Sequence, residues 1–385
     1  MKSMKFRFFD IVLCAVILSV GVQMTVSCED LQPEDDKNIY QGSDGVSDGD
    51  DGSGEGNNDG GGNPVDLPSS ATANCYIVSS AGNYSFRAVK GNSSVSVGAV
   101  AFAVVLWESF GTSSSPSVGD LISSVSYEDG YIRFRTAETF KEGNAVIAAK
   151  DVEGNILWSW HIWMTDVPEG QEYYNDAGVM MDRNLGATSS VPGDVGALGL
   201  MYQWGRKDPF LGSASITGSK EAASTGTWSI VSGSSASMYD AEANPMTFYT
   251  DLSLPNESWK SQKTVYDPCP AGWRVPDGGD AGVWAKALGS PLSFTDVSLY
   301  DSTNKGMNFS GRFGSASTIW YPGSGYCASN SGGLGNVGNY GSCWSCSSYE
   351  FNNYACHMNF SIYDSVFPSR SDNRAYGYPV RCLQE

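Results

Sequence analysis

Three cysteines and one of the two histidines fall inside the stretch GSCWSCSSYEFNNYACHMNF, residues 341–360. Cys343-x-x-Cys346 followed by Cys356 and His357 supplies four side chains of the kind that hold zinc. Structural zinc sites present two separated pairs, each with a turn inside it. Cys356 and His357 are adjacent, so on a strand they face opposite ways and do not ligate together. The same geometry works against a thiolate activated by its neighbour's imidazole, because a nucleophile and its base must lie within hydrogen-bond reach. His161 sits in WSWHIWM, where alternation puts Trp158, Trp160 and Ile162 on one face and Ser159, His161 and Trp163 on the other, the setting of a structural histidine. Asp277, Asp280, Asp296 and Asp301 could serve glycoside hydrolysis, which takes two carboxylates across a cleft, but no spacing marks a pair. GLGNVG, residues 333–338, has the dinucleotide-binding spacing without the strand-to-helix context that gives it meaning. No catalytic residue, metal or cofactor is expected from these patterns.

The elements that must position these residues are mostly strands. From residue 71 the chain reads NCYIVS, NYSFRAVKG, AVAFAVVLWES, LISSVSYEDGYIRFRT and NAVIAAKDVEGNILWSWHIWMTD. Each run is β-branched or aromatic and bounded by Gly, Asn, Ser or Asp. YEDGYIRF carries Asp-Gly between alternating runs, the strongest short hairpin signal. AAKDVEGNILWSW is a second hairpin with Glu-Gly-Asn at its tip. Six or seven strands over residues 71–168 predict a small, Ig-like β-sandwich. Cys75 is expected as a buried thiol. Beyond it, residues 212–262 are rich in Ser and Thr and read as a loop or insertion, and the spacing of Ala, Trp, Lys and Leu predicts a short helix over residues 281–288.

The first residues place the chain. Lys2, Lys5 and Arg7 precede the apolar run FFDIVLCAVILSVGV, the pattern of a signal peptide over residues 1–27 and too short to span a bilayer. Small residues end at Cys28, which would become the lipidated first residue of the mature chain. Residues 28–70 hold twelve acidic residues against one lysine and almost nothing that can enter a core. They read as a flexible, self-repelling tether reaching roughly 35 Å. Much of the formal charge of −19 lies there, which excludes nucleic acid as a partner. The remaining 315 or so residues suffice for two domains with real cores.

VMMDRNLGA, GLMYQWGRKDPF, DPCPAGWRVP, YPGSGY, WSCSS and YGYPVRC occur in that order over residues 176–385. They resemble the Fibrobacter-succinogenes-type major paralogous domain, common in cell-surface proteins of Bacteroidetes and related to C-type-lectin-like folds. NCYIVSSAGNYSF and ILWSWHIWMTD resemble, more loosely, segments ahead of this domain in fimbrillin-like lipoproteins. The resemblance implies a mainly β chain in which the sandwich is followed, over residues 169–385, by an α+β C-type-lectin-like domain whose first and last strands pair. It also implies a long-range disulfide between Cys269 and Cys382, which an exported protein permits. The calcium-binding motifs of true lectins are absent, and the matched motifs are structural rather than catalytic. Cys327, Cys343, Cys346 and Cys356 allow three full pairings, and spacing favours none of them.

Scattered Cys, His, Tyr, Asp, Asn, Ser and Phe over residues 325–377 resemble the variable region displayed by targets of diversity-generating retroelements. Tyr, Asn and Ser supply contact area and adaptable hydrogen bonds at low entropic cost. The expected contact surface is Tyr349, Phe351, Asn353, Tyr354, His357, Tyr363, Asp364, Phe367, Asp372, Asn373 and Tyr376. If residues 356–363 form a strand, Phe360 and Ile362 belong to its buried side and His357, Asn359, Ser361 and Tyr363 to the other. The expectation is an outer-membrane, lipid-anchored adhesin, not an enzyme, whose partner is a surface protein or a glycan. A fimbrial accessory or tip subunit assembled with other fimbrial subunits, and an enzyme acting on surface polysaccharide, are the alternatives.

Overall fold

Alternation in the first strands builds two sheets that face each other. One holds β1 (Val65–Asp66), β3 (Asn83–Arg87), β6 (Tyr131–Thr136) and β5 (Ile122–Glu128); the other holds β2 (Cys75–Val78), β8 (Ile156–Met164), β7 (Gly143–Lys150) and β4 (Phe102–Ser109), each in that spatial order. The computed structural model describes residues 64–67, 71–289, 293–349, 353–363 and 366–385. The leader, most of the tether, Cys28, Phe351 and Asp364 lie outside the described residues.

Asp129 and Gly130 both have positive φ, 50° and 84°, as the two-residue turn between β5 and β6 requires. Between the sheets Tyr76 stacks on Phe86 at 4.3 Å, and Phe86 meets the edge of Trp160 at 5.2 Å. β7 and β8 are buried on both faces, because the second sheet is a central layer. Trp158, Trp160 and Ile162 enter the sandwich core, whereas Trp163 joins Cys75, Trp107 and Val146 in a core shared with Trp204, Trp259 and Trp344. The polar side chains on that second face all find partners. Ser159 donates to Asp208 at 2.6 Å, the Lys207 ammonium donates to the Ser159 carbonyl at 3.0 Å, and Asn144 donates to Gly186 O at 2.9 Å. His161 Nε2 lies 2.8 Å from Asn144 Oδ1, and burial holds its pKa down at about 3.

The rest of the chain closes on itself through its ends. The strand Gly178–Met181 pairs with the last strand, Leu383–Gln384, and Met181 N–H donates to Cys382 O at 2.9 Å. A disulfide joins Cys269 to Cys382, with Cα atoms 6.0 Å apart across 113 residues. A loop of that length is worth about 4–5 kcal/mol in the chain-entropy model. Asp267 fixes the loop ahead of it, accepting from Cys269 N–H, Val275 N–H and Lys263. The helix expected over 281–288 is shorter, Val283–Ala287. Residues 212–262 are not simply loop. They contain a parallel pair, Ser229–Val231 with Thr247–Tyr249, and a helix, Met238–Ala243. Ser237 and Asp240 cap that helix reciprocally, a signal that a Ser-rich composition hides. Together these elements make the chain mainly β, spread over several sheets.

Candidate functional site

The terminal segment forms a three-stranded antiparallel sheet, Tyr340–Ser348, Tyr354–Ser361 and Phe367–Asn373, with the middle strand buried on both faces. Met358 and Phe360 point into a core with Trp284, Phe309 and Phe313. The opposite face was expected to meet solvent; it is buried at His357, Asn359 and Ser361 and exposed at Tyr363. His357 and Asn359 are each 1% exposed; Trp344 and Tyr378 cover the His357 ring, and Asn359 donates to Gly341 O at 3.2 Å. His357 therefore packs inside the sheet rather than standing on a contact surface.

In-register pairing places Trp344, His357 and Arg370 side by side, then Ser342 beside Asn359, and Ala355 beside Asp372. A polar file results. Arg370 Nη1 donates to Asn359 Oδ1 at 3.4 Å, Asn359 Nδ2 donates to Ser342 Oγ at 3.4 Å, and Ser342 Oγ lies 3.1 Å from His357 Nδ1. Which atom of that last pair donates depends on the tautomer of the imidazole, whose other ring nitrogen is Nε2. That atom has no hydrogen-bond partner and faces Asp372 Oδ2 across 4.0 Å. Burial, then the nearby Arg370, lower the His357 pKa to about 3, so the ring is neutral at physiological pH. Serine, histidine and aspartate in line are the residue types of a hydrolytic triad. Ser342 is only 3% exposed, however, so no substrate carbonyl can reach its hydroxyl.

Around this file the rings form a graded cluster. Tyr376 lies parallel to Tyr378, and Tyr378 stacks on His357 at 4.9 Å. Tyr326 stands edge-on to Tyr340, Tyr376 and Tyr378 at 5.7, 5.6 and 6.5 Å. Tyr378 is buried and donates to Asp372 Oδ2 at 2.9 Å; Tyr326, Tyr340 and Tyr376 are half-buried; Arg370 and Asn336 are exposed. Edge-to-face and offset ring pairs hold one another rigid while leaving outer faces free for contact.

Of the other residues singled out in the sequence, Tyr349 and Tyr354 are exposed at one end of the sheet, joined by Tyr349 N–H to Tyr354 O at 3.0 Å. Asn353 beside them is half-buried with φ 73°. Tyr354 pairs with Asn373, whose carbonyl accepts the Tyr376 N–H, so this tip adjoins the ring cluster. Asp372 and Asn373 are half-buried. Tyr363 is the most exposed, at 79%, but it lies beyond the other end of the strand, roughly 20 Å or more away. Phe367 is half-buried beneath Arg370 at 5.3 Å. The expected surface thus splits into two ends with a buried middle. Tyr326, Tyr340 and Arg370 belong to the site and were missed. Tyr340 could have been found from its two-residue spacing to Ser342 and Trp344; Tyr326 is brought in only by the tertiary fold.

The cysteines do not converge. Cys343 meets Asn184 Oδ1 at 3.7 Å, whereas Cys346 meets Asp277 Oδ1 at 3.4 Å in a different core. Both are buried thiols, as are Cys75, Cys327 and Cys356. Three of the four carboxylates are spent on structure: Asp277 pairs with Arg274 at 2.6 Å, Asp296 with Arg312 at 2.7 Å, and Asp301 accepts from Thr303 and Asn304 N–H, while Asp280 is exposed.

No family model, no curated protein and no solved structure matches the chain.

Proposed function

We propose that the chain is a lipid-anchored surface protein that binds a partner through the outer rings of its terminal sheet. The observation that carries this reading is the half-buried cluster of Tyr326, Tyr340 and Tyr376, bordered by Arg370 and Asp372 and continued by exposed Tyr349 and Tyr354. Clustered aromatic rings left partly in solvent mark interfaces, and such anchors dominate binding energy. The rigid polar file beneath them favours binding over catalysis, since its serine is shut away from substrate. The leader, Cys28 and the acidic tether fit display at the outer membrane. Pairing of Gly178–Met181 with the last strand and the Cys269–Cys382 bond fit the C-type-lectin-like head that the motifs resemble.

The test is a glycan array and a panel of surface proteins probed with the purified chain and with a variant carrying Tyr349→Ala, Tyr354→Ala and Tyr376→Ala. A partner bound by the parent and lost in the folded variant is expected. Binding that survives the triple substitution, or no binding to either panel, overturns the reading.

Exposure of Tyr349, Tyr354 and Tyr363 and half-exposure of Asn353 also favour programmed variation at these positions. Cys343, Cys356 and His357 are packed and would not tolerate it freely. A reverse transcriptase gene beside a near-copy of the last segment, differing only at adenines, is the expected genomic signature. Its absence would leave a fixed binding face.

A further inference from the structure

Away from the tyrosine cluster, a small cavity of about 90 Å³ opens between the Ser229–Val231 and Thr247–Tyr249 pair and the strand Tyr326–Cys327. Its walls are the rings of Phe210, Trp228 and Phe248, with Ile230 and the Cys327 thiol; Glu221 stands at its rim. Phe210 and Phe248 meet at 69° with centroids 5.3 Å apart, so the walls turn a corner rather than stack flat. Gly332 has φ 66°, and a Cβ there would come within 3.1 Å of Phe248, so glycine lets this loop close against the ring. Burial, then the charge of Glu221, push the Cys327 thiol up to about 12. The thiol is neutral, and Glu221 is the charged group among the lining residues. No ion-pair partner of Glu221 occurs among the described residues.

We propose that this cavity is an aromatic cage for a compact quaternary ammonium head, of the choline type. Ring faces attract a cation through their quadrupoles, and a trimethylammonium head has no N–H to leave unsatisfied. Glu221 supplies the countercharge. Arg206 already lies on Phe210 at 4.9 Å, which leaves Trp228 and Phe248 as the lining rings for the ligand. The site is independent of the binding face proposed above.

The test titrates the purified full chain with choline and with 3,3-dimethylbutan-1-ol, its neutral isostere, at matched ionic strength, read by calorimetry and by tryptophan fluorescence. Choline is expected to bind at least about tenfold more tightly than the isostere. Glu221→Gln should remove most of that preference without changing the melting temperature. Equal or tighter binding of the isostere, no saturable choline binding at millimolar concentrations, or a preference unchanged in Glu221→Gln overturns the proposal. Phosphatidylcholine vesicles identify the source of the head. Choline binding together with co-sedimentation that Glu221→Gln abolishes supports the cage with a lipid-borne ligand; choline binding without such co-sedimentation supports it with a soluble one.

Discussion

The rings of Tyr376 and Tyr378 lie within 3° of parallel with centroids 5.5 Å apart, which makes the half-buried Tyr376 the outer member of a stack that ends on buried His357. Tyr363, by contrast, is 79% exposed. Tyr376→Ala should lower stability by about 1–2 kcal/mol, through lost ring contacts and area. Tyr363→Ala should stay within about 0.5 kcal/mol of the parent. Urea melts of the two variants check this; equal losses would mean that the stack contributes nothing.

Acid should destabilise the protein earlier than its carboxylates alone would. His161 and His357 both fall from 6.5 to about 3 on folding, each mainly through burial. The unfolded chain therefore binds protons that the folded chain refuses. Stability is fully present above pH 6.5 and is lost as pH falls from there towards 3, at up to about 1.4 kcal/mol per pH unit for each histidine. Melts between pH 7 and pH 5 should show the slope, and His357→Gln should reduce it by about half. A flat profile over that range would show that the rings are hydrated.

Peptide mapping without reductant should link Cys269 to Cys382 and find Cys75, Cys327, Cys343, Cys346 and Cys356 as thiols that alkylate only after unfolding. Cys382→Ser should cost about 4 kcal/mol. Its neighbours also hold the closing strand pair, so partial loss of the native fold at 37 °C is expected.

Membrane fractions should contain the parent chain and lose it when Cys28 is replaced by Ala. Equal partitioning of the two would remove the lipid anchor from the proposal.

Local chemistry was legible in the residues themselves. Asp129-Gly130 specified a turn that needs two positive φ angles, and the period-two pattern of WSWHIWM sorted its side chains correctly between two faces. The pairing of Cys269 with Cys382 followed from motif resemblance rather than from spacing, whereas the last strand pairs with Gly178–Met181 and not with the first strand of that region, Gly170–Tyr173. Tertiary structure alone decided what covers each face. The alternation of His357, Asn359 and Ser361 against Met358 and Phe360 is the same whether the first set meets water or Tyr378 and Trp344, because a strand's side-chain period is a property of its own backbone. Burial of His357 depends on Tyr378, twenty-one residues further along, and on Trp344 in the neighbouring strand. The meeting of Tyr326 with Tyr376, fifty residues apart, likewise depends on β-pairing of Cys327 with Gly377, which no local pattern encodes.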